Sequence, residues 1–468
     1  MAATILLAAA ITASGQQTPG ADFNTQAARG TVVSNLACLD DPSQSYAAYL
    51  PSHYTPDRAW PIIYAFDPFA RGKGAVDVYK DAAEKYGYIV VGSNNSKNGP
   101  SALQLGAAQA LWLDTHRRFA IDKNRVYTTG LSGGARVATS FALYCYTCAV
   151  AGVIAHGAGY PAMQSQKQPA NDHFVYYAIV GDADLNYPEI MALRKKKDDA
   201  GAACKVKIYP GPHQWAPPEI VDGAVAWLEL KAMQSGAEKA DSAFIDKLFE
   251  ATQADAVQAE QHSDALGQYY ALRSLVQDFK GLEDTMPFEG KLAQLKSSKP
   301  LKSAEHKQEG EIALQASLTA ATASELAQFG VDAEAQAGLG QHIVRVMSDL
   351  RRRANSTSAD HAVYSRAFSQ LFIQGMEAGQ DALREARLPQ ATAYFELMAE
   401  AAPDQAWPAL ALAEAQVRAG NKKAAIKAIE QAVQRGLKHA QTLTQDPELQ
   451  PLASDPAFQR IVQGLSAQ

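Results

Sequence analysis

The sequence predicts an α/β unit, a mostly parallel sheet with helices on both faces, followed by an all-helical unit. Three observations predict it. Short runs rich in Val, Ile and Tyr alternate with amphipathic stretches up to about residue 232. Beyond Lys231 the strand-like runs stop, and Ala, Gln, Glu, Leu and Lys, all good helix formers, dominate. A Gly-x-Ser-x-Gly stands where one of the strand-like runs meets a helical one.

The strand-like runs are Tyr46–Leu50, Pro61–Phe66, Tyr88–Gly92, Val126–Thr129, Gly152–Ala155, Phe174–Val180 and Lys205–Tyr209. Each is short, with turn residues at its ends. Helical patterns lie between them at Val76–Tyr86, Leu103–Phe119, Ala135–Tyr144, Pro188–Ala200 and Pro218–Lys231. Strand–helix alternation requires crossover connections, which cover both faces of a parallel sheet. Met233-Gln-Ser-Gly236 reads as the linker, and Pro300, Pro389 and Pro403 punctuate the helical half. The expected organisation is an N-terminal export segment over 1–17, a catalytic unit over 30–235, helices over 240–370 and helical repeats over 371–468.

The export segment rests on the apolar run Ala2–Ile11 and the small residues Ala13-Ser14-Gly15. It lacks a basic start, since the first basic residue is Arg29, and no Cys stands near the cleavage point to carry a lipid. The expectation is a periplasmic or secreted protein. No later stretch reaches the ~18 consecutive apolar residues of a membrane span.

Composition narrows the function. Of 468 residues, 47% are hydrophobic and 20% charged, which excludes a disordered chain. Net charge is +1 up to about residue 235 and −7 after it. Neither half has the basic excess that phosphate backbones demand, so nucleic acid is not an expected partner. The basic runs Arg194–Lys197 and Arg351–Arg353 read as solvated helix faces. Cys38, Cys145, Cys148 and Cys204 are too few for a disulfide scaffold. The pair Cys145/Cys148 has no second Cys pair or His pair to complete a zinc site, and it leaves a redox motif, a disulfide or buried thiols open. No cofactor and no metal are expected.

The chemistry centres on Gly130-Leu-Ser132-Gly133-Gly134. Arg125–Thr129 before it is strand-like and Ala135–Ala142 after it is helical, the setting of a nucleophile elbow. Side chains at Gly130 or Gly134 would strike the neighbouring strand or helix. The turn raises the serine hydroxyl above the sheet, and the helix N-terminus favours developing negative charge. A Gly-rich phosphate loop is the plainer alternative, but neither a Lys-Ser/Thr nor a G-x-G-x-x-G accompanies it.

These residues resemble the α/β-hydrolase superfamily, over about residues 30–232. Within it they are most similar to secreted esterases related to polyhydroxybutyrate depolymerases and to feruloyl and acetylxylan esterases. Those carry a Tyr-x-x-Tyr-Leu-Pro segment, here Tyr46–Pro51, and a His-x-Trp, here His213–Trp215. Their oxyanion loop usually holds His-Gly, where this chain has Asp67-Pro68.

The resemblance implies a triad in the order Ser, acid, His. A serine hydroxyl needs a base to take its proton. His213, just after the last strand-like run, stands where the fold places that base, while His156 ends an earlier strand-like run and is a candidate pocket residue. The acid belongs on Gly181-Asp182-Ala-Asp184; the Gly-x-x-Asp spacing favours Asp184, with Asp182 as fallback. For the oxyanion the expected donors are the backbone N–H of Gly133 and, since Pro68 has none, that of Phe69. The asparagines of Ser93–Pro100 are either substrate contacts or a turn cluster.

A second resemblance lies near the C-terminus. Gly379 and Ala413, Ala386 and Gly420, Ala391 and Ala425, Phe395 and Ile429, and Met398 and Ala432 each differ by 34 positions. This small–large pattern over about residues 372–438 resembles two tetratricopeptide units. An ordinary helix bundle is the alternative. Such units imply a groove or buttress, and with it a protein partner.

The combined expectation is a serine carboxylesterase working through an acyl-enzyme on a small-molecule or polymer ester. A peptidase of the same fold and a non-catalytic scaffold are the alternatives. The helical half is expected to supply no member of the triad.

Overall fold

The computed structural model describes residues 28–161, 173–329 and 336–466. The export segment expected over 1–17 lies outside them. An eight-stranded, mostly parallel sheet forms, with the strand order β1-β2-β4-β3-β5-β6-β7-β8. The strands are β1 (Val32–Ala37), β2 (Ser45–Tyr49), β3 (Trp60–Phe66), β4 (Ile89–Ser93), β5 (Ile121–Leu131), β6 (Val150–His156), β7 (Val175–Gly181) and β8 (Cys204–Tyr209). β2 runs antiparallel to β1 and β4, whereas β3 is parallel to both β4 and β5. This is the mostly parallel sheet, with helices between its strands, that the sequence predicts.

Every residue of β3 and β4 is buried, as a strand covered on both faces should be. Pro61 has no N–H to give, and the β3–β5 register shifts there, between Trp60 and Ile62. β1 is the strand the sequence reading lacks. It is a largely exposed edge strand with Ser34 and Asn35 at its centre and an irregular register, so it carries little apolar signal. β5 is longer than expected because Asp122, Lys123 and Asn124 extend it with a polar stretch.

The five expected helices form as α1 (Gly72–Tyr86), α2 (Ser101–Arg118), α3 (Gly133–Tyr144), α4 (Tyr187–Asp199) and α5 (Pro218–Ser235). α5 ends at Gly236, in the left-handed conformation, at the expected linker. The buried Arg125 of β5 pairs with Glu229 of α5 and Glu238 beyond it, which ties α5 to the sheet. Cys145 and Cys148 are joined as a disulfide, and Cys38 and Cys204 are buried cysteines outside it.

The rest of the described chain is helical: α6 (Ser242–Gln261), α7 (Ala265–Asp278), α8 (Met286–Ser297), α9 (Lys299–Gln328), α10 (Gln336–Ala354), α11 (His361–Arg384), α12 (Leu388–Ala401), α13 (Ala406–Arg418), α14 (Lys422–Gln434), α15 (Ala440–Thr444) and α16 (Pro456–Ser466). Pro300 and Pro389 open α9 and α12, where a missing N–H costs nothing. The side chains of Asp241, Asp264 and Ser298 accept from first-turn amides and cap α6, α7 and α9.

At the 34-residue spacing, Ala391, Ala413, Ala425, Phe395, Ile429, Met398 and Ala432 are all completely buried. Gly379 lies so close to Phe395 that a β-carbon would fall 2.5 Å from its ring. The paired turn residues Ala386 and Gly420 both have positive φ, 58° and 78°.

The chain divides into two compact units that do not follow the composition boundary. One holds the chain up to Ala155, with Tyr160–Tyr177 and Pro217–Lys239. The other gathers His156–Gly159, Ala178–Ala216 and everything from Ala240 onward.

Candidate active site

The elbow belongs to the first unit. β5 ends at Leu131 and α3 starts at Gly133, leaving Ser132 between them with φ 55° and ψ −121°. A non-glycine residue held there costs on the order of 1–3 kcal/mol, which the packing around it must sustain. Ser132 O accepts from Ala135 and Arg136 N–H at 3.0 and 3.2 Å, so the helix begins directly from the strained residue. The glycines are required by close approach. A β-carbon on Gly130 would sit 2.2 Å from the Gly134 carbonyl carbon, and one on Gly134 would sit 2.0 Å from Phe66 O.

Two loops border this turn. Asn98 Oδ1 lies against Gly133, where a β-carbon would be 1.9 Å from it, and Asn98 N–H donates to Pro68 O at 2.8 Å. Asn94 and Asn95 do other work. Asn95 accepts from Ser45 N–H and donates to Ser43 O, and Asn94 donates to Ser34 O, so both pin the turn to the sheet edge. The N–H of Phe69 donates to Asp67 Oδ1 at 2.9 Å. Arg71 clasps the same buried carboxylate with two hydrogen bonds, at 2.8 and 2.9 Å. The Phe69 amide is therefore already engaged by a carboxylate.

The acid and base candidates come together in the second unit. His213 Nδ1 lies 2.9 Å from Asp184 Oδ1; the imidazole is 16% exposed and the carboxylate 1%. Asn186 N–H donates to the same Oδ1 at 2.8 Å. Asp182 faces elsewhere: its Oδ1 accepts from Gly211 N–H at 3.0 Å, and its own N–H donates to Tyr209 O. Of the two aspartates, Asp184 touches His213, and Asp182 ties the two loops together. Tyr209, buried beside both carboxylates, has its phenol pushed up to about 12, first by burial and then by Asp184 and Asp182.

Two residues of this cluster were not singled out in the sequence. Gly157 follows β6 with φ 58°, and a β-carbon there would fall 2.6 Å from Asp184 Oδ2 and 2.8 Å from His213 Nδ1. Asn186 donates its side-chain amide to Gly157 O at 2.6 Å. A glycine directly after a buried strand was the available signal. His156 is fully buried, with Ala216 N–H pointing at its Nδ1 at 3.4 Å and the Trp215 ring 4.8 Å away. Burial alone pulls its pKa down to about 3, so it is neutral and braces the loop beyond His213.

Among the described residues, no group of three His, Cys, Asp or Glu side chains is placed to hold a metal ion. No described helix is long and apolar enough to cross a membrane.

No family model matches the sequence, and no curated protein does. Solved structures are similar in part. An S-formylglutathione hydrolase from Staphylococcus aureus is 13% identical, covering 42% of this chain and 96% of its own, with a TM-score of 0.34. A Pyrobaculum calidifontis esterase is 12% identical over 44% of this chain and 87% of its own, with a TM-score of 0.36. The esterase LipW from Mycobacterium marinum is 14% identical over 42% and 82%, also with a TM-score of 0.36.

Proposed function

We propose that the protein is a serine hydrolase that cleaves carboxylic esters through an acyl-enzyme. Ser132 is the nucleophile, His213 the general base and Asp184 the residue that orients it. The observation that carries this reading is the buried Asp184 carboxylate bonded to His213 Nδ1. A carboxylate on Nδ1 fixes the tautomer that leaves Nε2 as the proton acceptor, and it steadies the imidazolium that forms. The strained backbone of Ser132 supports the same reading, because strain of this kind clusters at catalytic sites.

In this mechanism Nε2 takes the Ser132 proton as Oγ attacks the ester carbonyl. The proton then passes to the departing alkoxide, which leaves as the alcohol, and an acyl-serine remains. Water, deprotonated by the same imidazole, releases the acid and restores Ser132. The N–H of Gly133, at the start of α3, stabilises the oxyanion. With the Phe69 amide held by Asp67, Gly133 carries more of that role than the sequence alone suggests.

A fluorophosphonate probe tests the reading. The expected result is one covalent adduct on Ser132, absent from Ser132→Ala. Ester turnover in that variant should fall by about 10⁶. No adduct on the folded protein would indicate a scaffold. Offering acyl esters and peptide amides in parallel separates an esterase from a peptidase.

A further inference from the structure

The loop that carries Asp184 is held by side chains from far along the sequence. α9 bears Gln308, Glu311 and Gln315 at intervals of three and four residues, which puts them on one face of the helix. Gln315 Nε2 donates to Leu185 O at 3.0 Å and to Gln370 Oε1 at 3.0 Å. Gln308 Nε2 donates to the Tyr187 hydroxyl at 2.6 Å. From α11, Arg366 Nη1 donates to Asp182 O at 2.7 Å. Its guanidinium stands 4.5 Å over the Tyr187 ring, and Nη2 is 3.5 Å from Glu311. The carbonyls on either side of Asp184, those of residues 182 and 185, are thus both gripped by the helical half.

Arg366 is only 1% exposed. Burying a guanidinium costs several kcal/mol, and a well-packed apolar residue of similar volume often stabilises a fold as well or better. What an apolar residue cannot do is grip a carbonyl in one direction. The location of the charge is therefore better explained by placement of the loop than by stability.

We propose that Arg366, together with Gln315, is a positioning residue that fixes the Asp182–Asn186 loop and so holds Asp184 Oδ1 on His213 Nδ1. On this view the helical half works inside the catalytic centre without supplying a catalytic group. The kinetic part of the test rests on the hydrolase reading above; the exchange part does not.

The test uses the full chain and a double-mutant cycle. Arg366→Met should lower kcat on a small activated ester by at least ~10-fold, with KM within about twofold, since small misplacements of catalytic groups are costly. Arg366→Lys, which keeps a donor, should recover part of the loss. In an Asp184→Asn background, Arg366→Met should cost less than about twofold, because its effect runs through the missing carboxylate. An undiminished kcat in Arg366→Met, or the same loss in both backgrounds, would overturn the proposal. If Arg366→Met does not fold, Gln315→Met carries the same cycle with the same expected outcomes.

Hydrogen exchange gives a reading independent of turnover. The amides of Asp184 and Asn186, bonded to Gly181 O and Asp184 Oδ1, should exchange faster in the Arg366 or Gln315 variant. Those of Ala135 and Arg136 in the elbow should not change. Unaltered exchange in the 182–186 loop would sink the proposal. A wild-type protein that neither labels nor turns over ester would overturn the hydrolase reading alone, and the exchange comparison would still decide this one.

Discussion

The elbow and the acid–base loops solve the same problem by different means. Ser132 is placed by its own neighbourhood: a strand, a helix and two glycines, all within a few residues of it. Asp184 and His213 are placed by side chains from distant sequence. Gly157 lies beneath them, the loops at 182 and 211 lace together, and Gln315 and Arg366 reach in from α9 and α11. Local placement makes the elbow mostly a product of its own sequence, with Phe66 and Asn98 packed against its glycines. On the proposal above, long-range placement makes the Asp184–His213 pair depend on the packing of the helical half.

That contrast makes the two aspartates the most sensitive probe after Ser132, the proposed nucleophile. Asp184→Asn should lower turnover by about 10⁴, since an amide facing Nδ1 favours the wrong tautomer. Asp182→Asn keeps an oxygen able to accept from Gly211 N–H, so it should cost less than ~10-fold. Steady-state kinetics on one activated ester checks both. The reverse ranking would move the orienting role to Asp182 and would mean the loop reorganises when substrate binds.

The same contrast explains what could be read in the sequence. Seven of the strands and the helices between them were legible because apolar periodicity is local. The elbow was legible because its glycines and serine are contiguous. The preference for Asp184 over Asp182 came from a spacing, and the structure brings that residue to His213. β1 was not legible, because Ser34 and Asn35 interrupt an exposed edge strand. Nor were Arg366 and Gln315, which look like ordinary polar residues of amphipathic helices. Only the three-dimensional packing reveals that both are buried. In the sequence, the missing N–H of Pro68 points to Phe69 as the second oxyanion donor, whereas in the structure Asp67 turns back and accepts from the Phe69 amide.

Gly157 offers a smaller test. Alanine there must adopt φ 58°, and its β-carbon would press between Asp184 and His213. A folded Gly157→Ala should lose about 10–100-fold in kcat, because the pair is displaced rather than removed. Fluorophosphonate labelling should slow with it, and thermal melting should show a loss of about 1–2 kcal/mol. Unchanged kinetics would mean that the pair tolerates displacement and that its packing does not set the rate.

The last expected effect is a pH dependence read in stability rather than in turnover. His156 is buried and neutral, with its pKa drawn down to about 3 by burial. In the unfolded chain it returns to about 6.5. The folded pKa is therefore the lower one, and the unfolded state takes up a proton that the folded state refuses. Stability from this group is fully present above about pH 6.5 and is lost as the pH falls toward 3, at roughly 1.4 kcal/mol per pH unit. Because Ala216 N–H points at His156 Nδ1, protonation also turns that acceptor into a donor and loosens the His213 loop from below. His156→Gln keeps a polar side chain but cannot titrate. Its denaturation midpoint should vary less between pH 6.5 and 4.5 than that of the wild type, at some cost in stability at neutral pH from imperfect packing. Parallel slopes for the two proteins would show that His156 does not set the acid limit. Hydrogen exchange at pH 5 should then find the residues around Ala216 opening before those around Ser132. Simultaneous opening would mean the two regions, for all their different construction, unfold as one.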